Sequence, residues 1–163
     1  MTTFDFQDGK GPVPAHQHPN GGGWIADTAT VSATAYIGPD AWVYDNAKVY
    51  GHAKVYGHAE VFGDAWVYDN AWVYGNAWVY DNAMVFGDAW VYGHAEVFGD
   101  AKVYDNAMVS GDAKVSGDAL SDPICESKPK SNLSIRVVQT LEVTTDKEFD
   151  TVRINGIEYV KKS

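Results

Sequence analysis

The sequence is short of cysteine, of basic side chains in its longest segment, and of continuous apolar runs. Cys125 is the only cysteine in 163 residues, so no disulfide can form within the chain. A single cysteine fits a reducing compartment. The first ten residues, MTTFDFQDGK, lack the charged and then apolar pattern of an export signal, so we expect a cytoplasmic protein.

No stretch is long and apolar enough to cross a bilayer, so we expect no membrane association. The formal net charge is −10, and residues 24–120 carry thirteen acidic side chains against four lysines. We expect no direct binding to a nucleic-acid backbone there, because such affinity comes from Lys and Arg displacing counterions. Residues 121–163 carry seven basic and seven acidic groups, which makes them the better place for an anionic ligand.

What the chain does have is a six-residue repeat over residues 24–120. Units such as AKVYGH, AEVFGD and AWVYDN read Ala, any residue, Val, aromatic, Gly or Asp, then Asn, Asp or His. An aliphatic residue falls on every sixth position from Ile25 to Val115. Because Ala and Val lie two apart, they face one side of an extended strand, and the residue between them and the aromatic residue face outward.

The last two residues of each unit predict a sharp corner, because Gly, Asn and Asp adopt left-handed backbone conformations at low cost. Three strand-and-corner units close a coil of eighteen residues, and the sixteen units give a little over five coils. At a strand spacing of about 4.8 Å, the stack is roughly 25 Å long. We therefore expect an all-β fold: a parallel β-helix shaped as a triangular prism, with Ala, Val and Ile pointing inward.

This pattern is typical of the left-handed parallel β-helix, and it resembles the hexapeptide-repeat superfamily that includes acyltransferases and gamma-class carbonic anhydrases. The resemblance covers about 60% of the chain. It implies a left-handed coil and, since such proteins are commonly trimers of parallel prisms, a homotrimer. The chain departs from the family pattern by placing Tyr or Phe directly after the aliphatic residue in eleven units. The opening GPVPAHQHPNGGGWIADTATVSATAYIGPDAWVY also looks like bacterial and phage-encoded hexapeptide-repeat proteins, which implies a bacterium or a phage-infected host cell as the setting.

The segments on either side break the repeat. Residues 1–23 are rich in Gly and Pro and predict an irregular N-terminal cap, in which Phe4 and Phe6 cover the open end of the stack. Residues 121–132 predict a linker. Residues 133–163 predict a small antiparallel sheet, with a strand in LSIRVVQTLEVTT and a hairpin in TVRINGIEYV that turns at Asn-Gly. Such a sheet is marginal alone, so we expect it to pack on the C-terminal end of the prism or on a neighbouring subunit.

Outward side chains line up into aromatic ladders when every third unit is compared. The most apolar face carries Trp72 with Tyr74 and Trp90 with Tyr92 on adjacent rungs. A surface this aromatic favours a subunit contact, so we predict a homotrimer with these four residues in its interface. Two alternatives stay open: aromatic residues that only stabilise neighbouring strands, and a platform for flat ligands such as bases or sugars.

The histidines of the repeat, His52, His58 and His94, occupy the second corner position. His58 and His94 share a corner two coils apart, which is roughly 10 Å and too far for one metal within a chain. The resemblance to gamma-class carbonic anhydrases implies, as an alternative, a zinc ion shared between subunits. The simpler interpretation is that His replaces Asn or Asp at a turn. A column of corner acids could hold Ca²⁺, although such residues more often serve the backbone.

No phosphate-binding glycine loop, no nucleophile elbow and no long insertion interrupts the repeat. We therefore expect a non-enzymatic trimerising scaffold or binding protein, without a cofactor, that recognises a protein partner or sequesters a small nucleotide-like ligand. In the ligand version Trp72 and Trp90 stack on the base, and phosphate meets a set of basic residues in the tail, namely Lys128, Lys130, Arg136 and Arg153. The alternatives are an acyltransferase-like or zinc carbonic-anhydrase-like enzyme that uses His52, His58 or His94, and an acidic mimic of nucleic acid.

Overall fold

The computed structural model describes residues 2–117, 151–154 and 157–160. These residues form twenty strands and no helix, and nothing in the described ranges is a helix that could cross a membrane. In chain order the strands are β1 (Thr3–Phe4), β2 (Val13–Gln17), β3 (Trp24–Ala26), β4 (Thr30–Val31), β5 (Tyr36–Ile37), β6 (Trp42–Val43), β7 (Lys48–Val49), β8 (Lys54–Gly57), β9 (Glu60–Val61), β10 (Trp66–Val67), β11 (Trp72–Gly75), β12 (Trp78–Val79), β13 (Met84–Val85), β14 (Trp90–Val91), β15 (Glu96–Phe98), β16 (Lys102–Val103), β17 (Met108–Val109), β18 (Lys114–Ser116), β19 (Thr151–Ile154) and β20 (Ile157–Val160).

Strands β3 to β18 form a parallel β-solenoid of about five turns with three sheets. The first sheet runs β1-β2-β3-β6-β9-β12-β15-β18, the second β4-β7-β10-β13-β16, and the third β5-β8-β11-β14-β17. Each strand pairs with the strand eighteen residues further on, as in Trp72 opposite Trp90 and Val73 opposite Val91. The predicted all-β parallel solenoid and its coil length are therefore confirmed.

The core is the inward column that the repeat predicts. Every Val from Val43 to Val97 is completely buried, and so are the Ala residues of the same turns. Main-chain hydrogen bonds join successive turns; for example, the N–H of Trp72 donates to the carbonyl oxygen of Ala89 at 2.8 Å. Burial of a Val side chain stabilises by about 1.5–3 kcal/mol before the loss of chain entropy is subtracted, so the column stabilises the fold along its whole length.

The first residue of each corner has the most demanding backbone conformation. From residue 45 to residue 117 every such residue has a positive φ, between 55° and 84°. Glycine fills most of these positions, and four hold Asp: Asp45, Asp69, Asp81 and Asp105. The predicted left-handed corners are thus confirmed, and they explain why only Gly and Asp occur in this slot.

The N-terminal segment is more regular than the sequence predicts. Strand β2 pairs antiparallel with both β1 and β3 and so begins the first sheet. The loop before β3 forms hydrogen bonds with the start of the third sheet. The N–H of Gly23 donates to the carbonyl oxygen of Ile37 at 3.0 Å. The side-chain amide of Asn20 donates to the carbonyl oxygen of Ala35 at 2.8 Å. These backbone contacts cover the N-terminal ends of the first and third sheets.

Phe4 and Phe6 do not cover the end of the core, which corrects the prediction made for them. Phe4 stacks on Trp24 with ring centroids 4.4 Å apart, and Phe6 stacks on Tyr44 at 4.9 Å. Both rings thus lie on the outer face of the first sheet, where they form a second apolar cluster separate from the inward column. Phe4 and Phe6 pack there because the outward aromatic rings of the first sheet present larger apolar surfaces than the end of the narrow Ala and Val column does.

Strands β19 and β20 pair antiparallel, with Arg153 opposite Glu158. The predicted linker at residues 121–132 and the first predicted strand of the tail, within 133–145, lie outside the described residues. The three-stranded C-terminal sheet therefore stays a prediction.

Candidate functional site

Rings of the aromatic residues that follow Val stack into ladders on all three sheets. On the third sheet Tyr56, Tyr74 and Tyr92 have successive centroids 5.0 Å apart and are parallel within 4°. On the first sheet the ladder is longer, and Phe6 from the N-terminal segment adds its first ring, before Tyr44, Phe62, Tyr80 and Phe98. Each ring covers the face of the next one, which supports the interpretation that these residues stabilise neighbouring strands.

We call the outward surface of the third sheet the Trp72/Trp90 face; its side chains are those of Tyr36, Lys54, Tyr56, Trp72, Tyr74, Trp90, Tyr92, Met108 and Ser110. Trp72 and Trp90 stack with centroids 5.1 Å apart and planes within 7°. The Nζ of Lys54 lies 4.3 Å from the centroid of Trp72, on the preceding turn. The four residues predicted for an interface are therefore adjacent on one flat surface.

The stacking limits which ring faces a flat ligand can reach. Trp72 has Lys54 on one side and Trp90 on the other, and Met108 of the next turn lies in register with Trp90. Both faces of Trp72 and one face of Trp90 are therefore covered, and the platform for flat ligands stays a prediction. Beside the two rings runs a shallow groove of about 430 Å³, whose polar wall is the corner column Asn70, Asp88 and Asn106.

The Trp72/Trp90 face carries fewer charged side chains than the outward faces of the other two sheets. Its outward strand positions carry a single charged side chain, Lys54. The corresponding positions of the second sheet carry Lys48 and Lys102, and those of the first sheet carry Glu60, Glu96 and Lys114. Most of the acidic charge lies instead on the corners. The Trp72/Trp90 face thus combines six aromatic side chains with a single charged strand residue to desolvate.

Two glutamates on the first sheet occupy equivalent positions but differ in their surroundings. Glu60 accepts a hydrogen bond from the Tyr44 hydroxyl at 2.8 Å, and Glu96 accepts one from the Tyr80 hydroxyl at 3.2 Å. Burial raises the pKa of Glu60, which lies in register between Trp42 and Trp78. For Glu96, a hydrogen-bonded ion pair with Lys114 at 2.8 Å lowers the pKa. Sequence reasoning missed this contrast, because both units read AEVFGD.

These opposite shifts predict opposite effects of neutralising the two side chains. The raised pKa of Glu60 means that its contribution to stability is present below its ordinary value of 4.5 and is lost as the pH rises through the folded value. Glu60→Gln should therefore raise the unfolding temperature at pH 7 and change it little near pH 3.

The lowered pKa of Glu96 gives the reverse sign: its contribution is present above 4.5 and is lost as the pH falls through the folded value. Glu96→Gln should lower stability at pH 7, by less than about 1 kcal/mol because the pair with Lys114 is solvent-exposed. Thermal unfolding of both variants from pH 3 to pH 8 checks the pair, and an equal effect of the two substitutions at pH 7 would contradict it.

Lys10 fastens the N-terminal segment to the solenoid. Its Nζ lies 2.7 Å from Asp45 and 3.1 Å from Asp8, and these carboxylates raise its pKa. The ion pair borders a pocket of about 320 Å³, whose lining includes Phe6, Pro14, Thr28 and Asp45. The sequence offers no signal for this contact, since Lys10 and Asp45 are 35 residues apart.

The structure keeps the predicted metal ligands apart. His58 and His94 belong to the corner after the third sheet, with Asn76 between them, and His52 belongs to the corner after the second. In the parts of the chain that the structure describes, no group of three His, Cys, Asp or Glu residues is arranged to hold a metal ion. The zinc-enzyme alternative therefore depends on histidines from a neighbouring subunit and stays a prediction.

Corner carboxylates and amides bond to the next turn. Asp81 Oδ2 accepts from the N–H of Gly99 at 3.2 Å, and the Asn82 side chain donates to Asp100 Oδ1 at 3.1 Å. Equivalent bonds join Asp69 to Gly87 and Asn70 to Asp88. The acidic columns thus serve the backbone and each other, which is the interpretation that the sequence favours over Ca²⁺ binding.

Of the basic residues predicted to meet phosphate, only Arg153 is in a described element, strand β19. Lys128, Lys130 and Arg136 lie outside the described residues, so the nucleotide-like ligand stays a prediction.

Comparison with known proteins agrees with the repeat architecture. A family model of the YdcK beta solenoid repeat matches residues 77–93 and 101–117. These two segments contain β12 to β14 and β16 to β18, so each match covers one strand from every sheet. No curated protein and no solved structure matches the chain. The chain is thus similar, over its last turns, to the YdcK beta solenoid repeat.

Proposed function

We propose that this protein is a non-enzymatic scaffold that assembles into a homotrimer through the Trp72/Trp90 face. The observation that carries the proposal is the stacked pair Trp72 and Trp90 on a flat face whose only charged strand residue is Lys54. Large aromatic side chains contribute most of the binding energy at subunit contacts. A second copy offers a surface with the same rung spacing, so contacts made on one turn repeat on the next.

Electrostatics support the choice of this face. The chain carries a formal net charge of −10, so two copies repel each other unless they meet where acidic side chains are few. The first sheet presents Glu60 and Glu96 and is partly covered by Phe4 and Phe6. Contact through the Trp72/Trp90 face avoids both the glutamates and this covering segment.

The finer description of the coil belongs to the same proposal. We infer a triangular prism with a left-handed coil, as in the hexapeptide-repeat proteins that the sequence resembles. Three sheets, a six-residue unit and a turn of eighteen residues support this geometry. Parallel association of three such prisms gives a rigid body that presents three N-terminal segments to a protein partner.

Light scattering after gel filtration tests the trimer. The expected mass is three times the 17.8 kDa chain mass. Trp90→Glu should reduce it to that of one chain, because a charge placed between Trp72 and Met108 would be buried in the contact. Trp66→Glu is the matched control: Trp66 lies at the equivalent position of the second sheet and is 37% exposed, so the trimer should persist.

Circular dichroism establishes that both variants keep the β-rich fold. A single-chain mass for the wild type at all concentrations would overturn the proposal. So would loss of the trimer in Trp66→Glu with its retention in Trp90→Glu, since that result would place the contact on the second sheet.

A further inference from the structure

The C-terminal end of the solenoid has an open edge in the described part of the chain. Among the described strands, β17 and β18 each pair on one side only, with β14 and β15. The inward column stays buried there, with Val109 6% and Val115 5% exposed. The open feature is therefore the backbone edge, whose unpaired N–H and C=O groups attract another strand.

The opposite end shows how this fold closes an edge. Strand β2 runs antiparallel along β3, with Ala15 opposite Ala26 and Gln17 opposite Trp24. The closing element is therefore a short antiparallel strand from outside the repeat. It satisfies the backbone of the first turn and cannot itself continue the solenoid, because its direction is reversed.

The hairpin β19–β20 needs a further strand beside it to be stable. Its two strands pair with each other through Thr151 opposite Val160 to Ile154 opposite Ile157. An isolated two-stranded hairpin is marginally stable in water. The register pairs Ile154 with Ile157. With the Asn-Gly turn that the sequence predicts, these two form a hydrogen-bonded pair, so the next pair, Arg153 and Glu158, directs its backbone N–H and C=O groups to the outer edges.

We propose that the hairpin β19–β20 closes the C-terminal end by adding antiparallel to β18, as β2 does to β3. Strand β18 has three residues and each hairpin strand has four, so the lengths match those of the N-terminal contact. Between them lie residues 117–150, which at about 3.3 Å per residue can span roughly 110 Å, more than the roughly 25 Å length of the solenoid.

The state of the C-terminal end determines whether copies of the chain can associate end to end. With both ends closed by antiparallel strands, the rod does not grow end to end. When the hairpin cannot bind, the edge of β18 pairs with the same edge of a second molecule. Because the N-terminal end stays closed by β2, the result is a tail-to-tail pair related by a two-fold axis and not a filament.

Hydrogen exchange of the full chain tests the proposal with a variant that blocks both outer edges of the hairpin, Arg153→Pro with Glu158→Pro. Proline removes the outward N–H groups and leaves the inner pairs Val152–Tyr159 and Ile154–Ile157 intact. Arg153→Ala with Glu158→Ala is the control, because it removes the same side chains and keeps the N–H groups.

In the wild type and the alanine control, amides of residues 114–116 in β18 should be protected to a similar degree as those of the interior turns. In the proline variant these amides should exchange at least about tenfold faster in dilute solution, with no change at β3 and β4. At high concentration the mass of the proline variant should double, whatever lateral assembly the wild type forms. A monomeric wild type would thus overturn the lateral trimer, and hydrogen exchange would still test whether the hairpin covers β18.

Equal protection of residues 114–116 in the proline variant and the control would overturn the proposal. Protection in the wild type that falls on dilution would overturn it as well, because a second molecule and not the chain's own hairpin would then cover the end. Growth of the proline variant into filaments would contradict the inference that the N-terminal end is closed.

Discussion

Replacing Val79 by Asp should prevent the solenoid from folding. Val79 is completely buried and lies in register between Val61 and Val97. An unpaired carboxylate there would lose several kcal/mol of solvation and gain no partner. Because a domain of this size is stable by only about 5–15 kcal/mol, and because each turn rests on the next, the defect interrupts the stack in its middle.

Soluble expression followed by circular dichroism measures this effect. The expected result is loss of the β-sheet spectrum, or a fall in unfolding temperature of more than about 10 °C. Trp66→Asp is the control: it adds the same charge at an outward position of the second sheet that is 37% exposed, and it should lower the unfolding temperature by only a few degrees. Similar behaviour of the two variants would contradict the inward assignment of Val79.

The second large effect is expected at the corner that follows the third sheet, where the first residue is glycine in each turn from Gly57 to Gly111. Gly75 has φ +77°, and a Cβ there would lie 3.0 Å from the nitrogen and 3.1 Å from the oxygen of Gly93. Gly75→Ala therefore combines left-handed strain of about 1–2 kcal/mol with a backbone clash between turns. The expected loss of stability is about 2–4 kcal/mol.

Gly111→Ala separates the two causes. Gly111 lies on the same corner with φ +68°, and a Cβ there would meet no described atom within 4 Å. It should cost only the strain, about 1–2 kcal/mol. Denaturant midpoints of the two variants give the difference, and equal losses would show that contact between turns does not limit this corner.

Much of the fold could be predicted from the sequence. A period of six residues with Ala and Val two apart determines which side chains point inward, and three units per turn determine which residues become neighbours. Trp72 and Trp90 are eighteen residues apart, and the structure places them in register. Prediction works here because every contact in a solenoid is with the adjacent turn, so a local pattern specifies the tertiary contacts as well.

The candidate site could be predicted only in part. Adjacency of the two tryptophans follows from the repeat, but the contact of their ring faces with Lys54 and with each other does not. That contact matters for function, since it covers both faces of Trp72 and one face of Trp90. It depends on side-chain orientations, which neighbouring turns choose together.

The sequence by itself therefore determined the solenoid, its three sheets, its inward column and its left-handed corners, because each depends on residue type at a fixed spacing. Only the tertiary structure decided where the non-repeating parts bind. Phe6 joins the ladder of the first sheet, Lys10 bonds to Asp45, and burial gives Glu60 a pKa shift opposite to that of Glu96. These features join residues far apart in the chain through packing and desolvation, and no periodic pattern encodes such contacts.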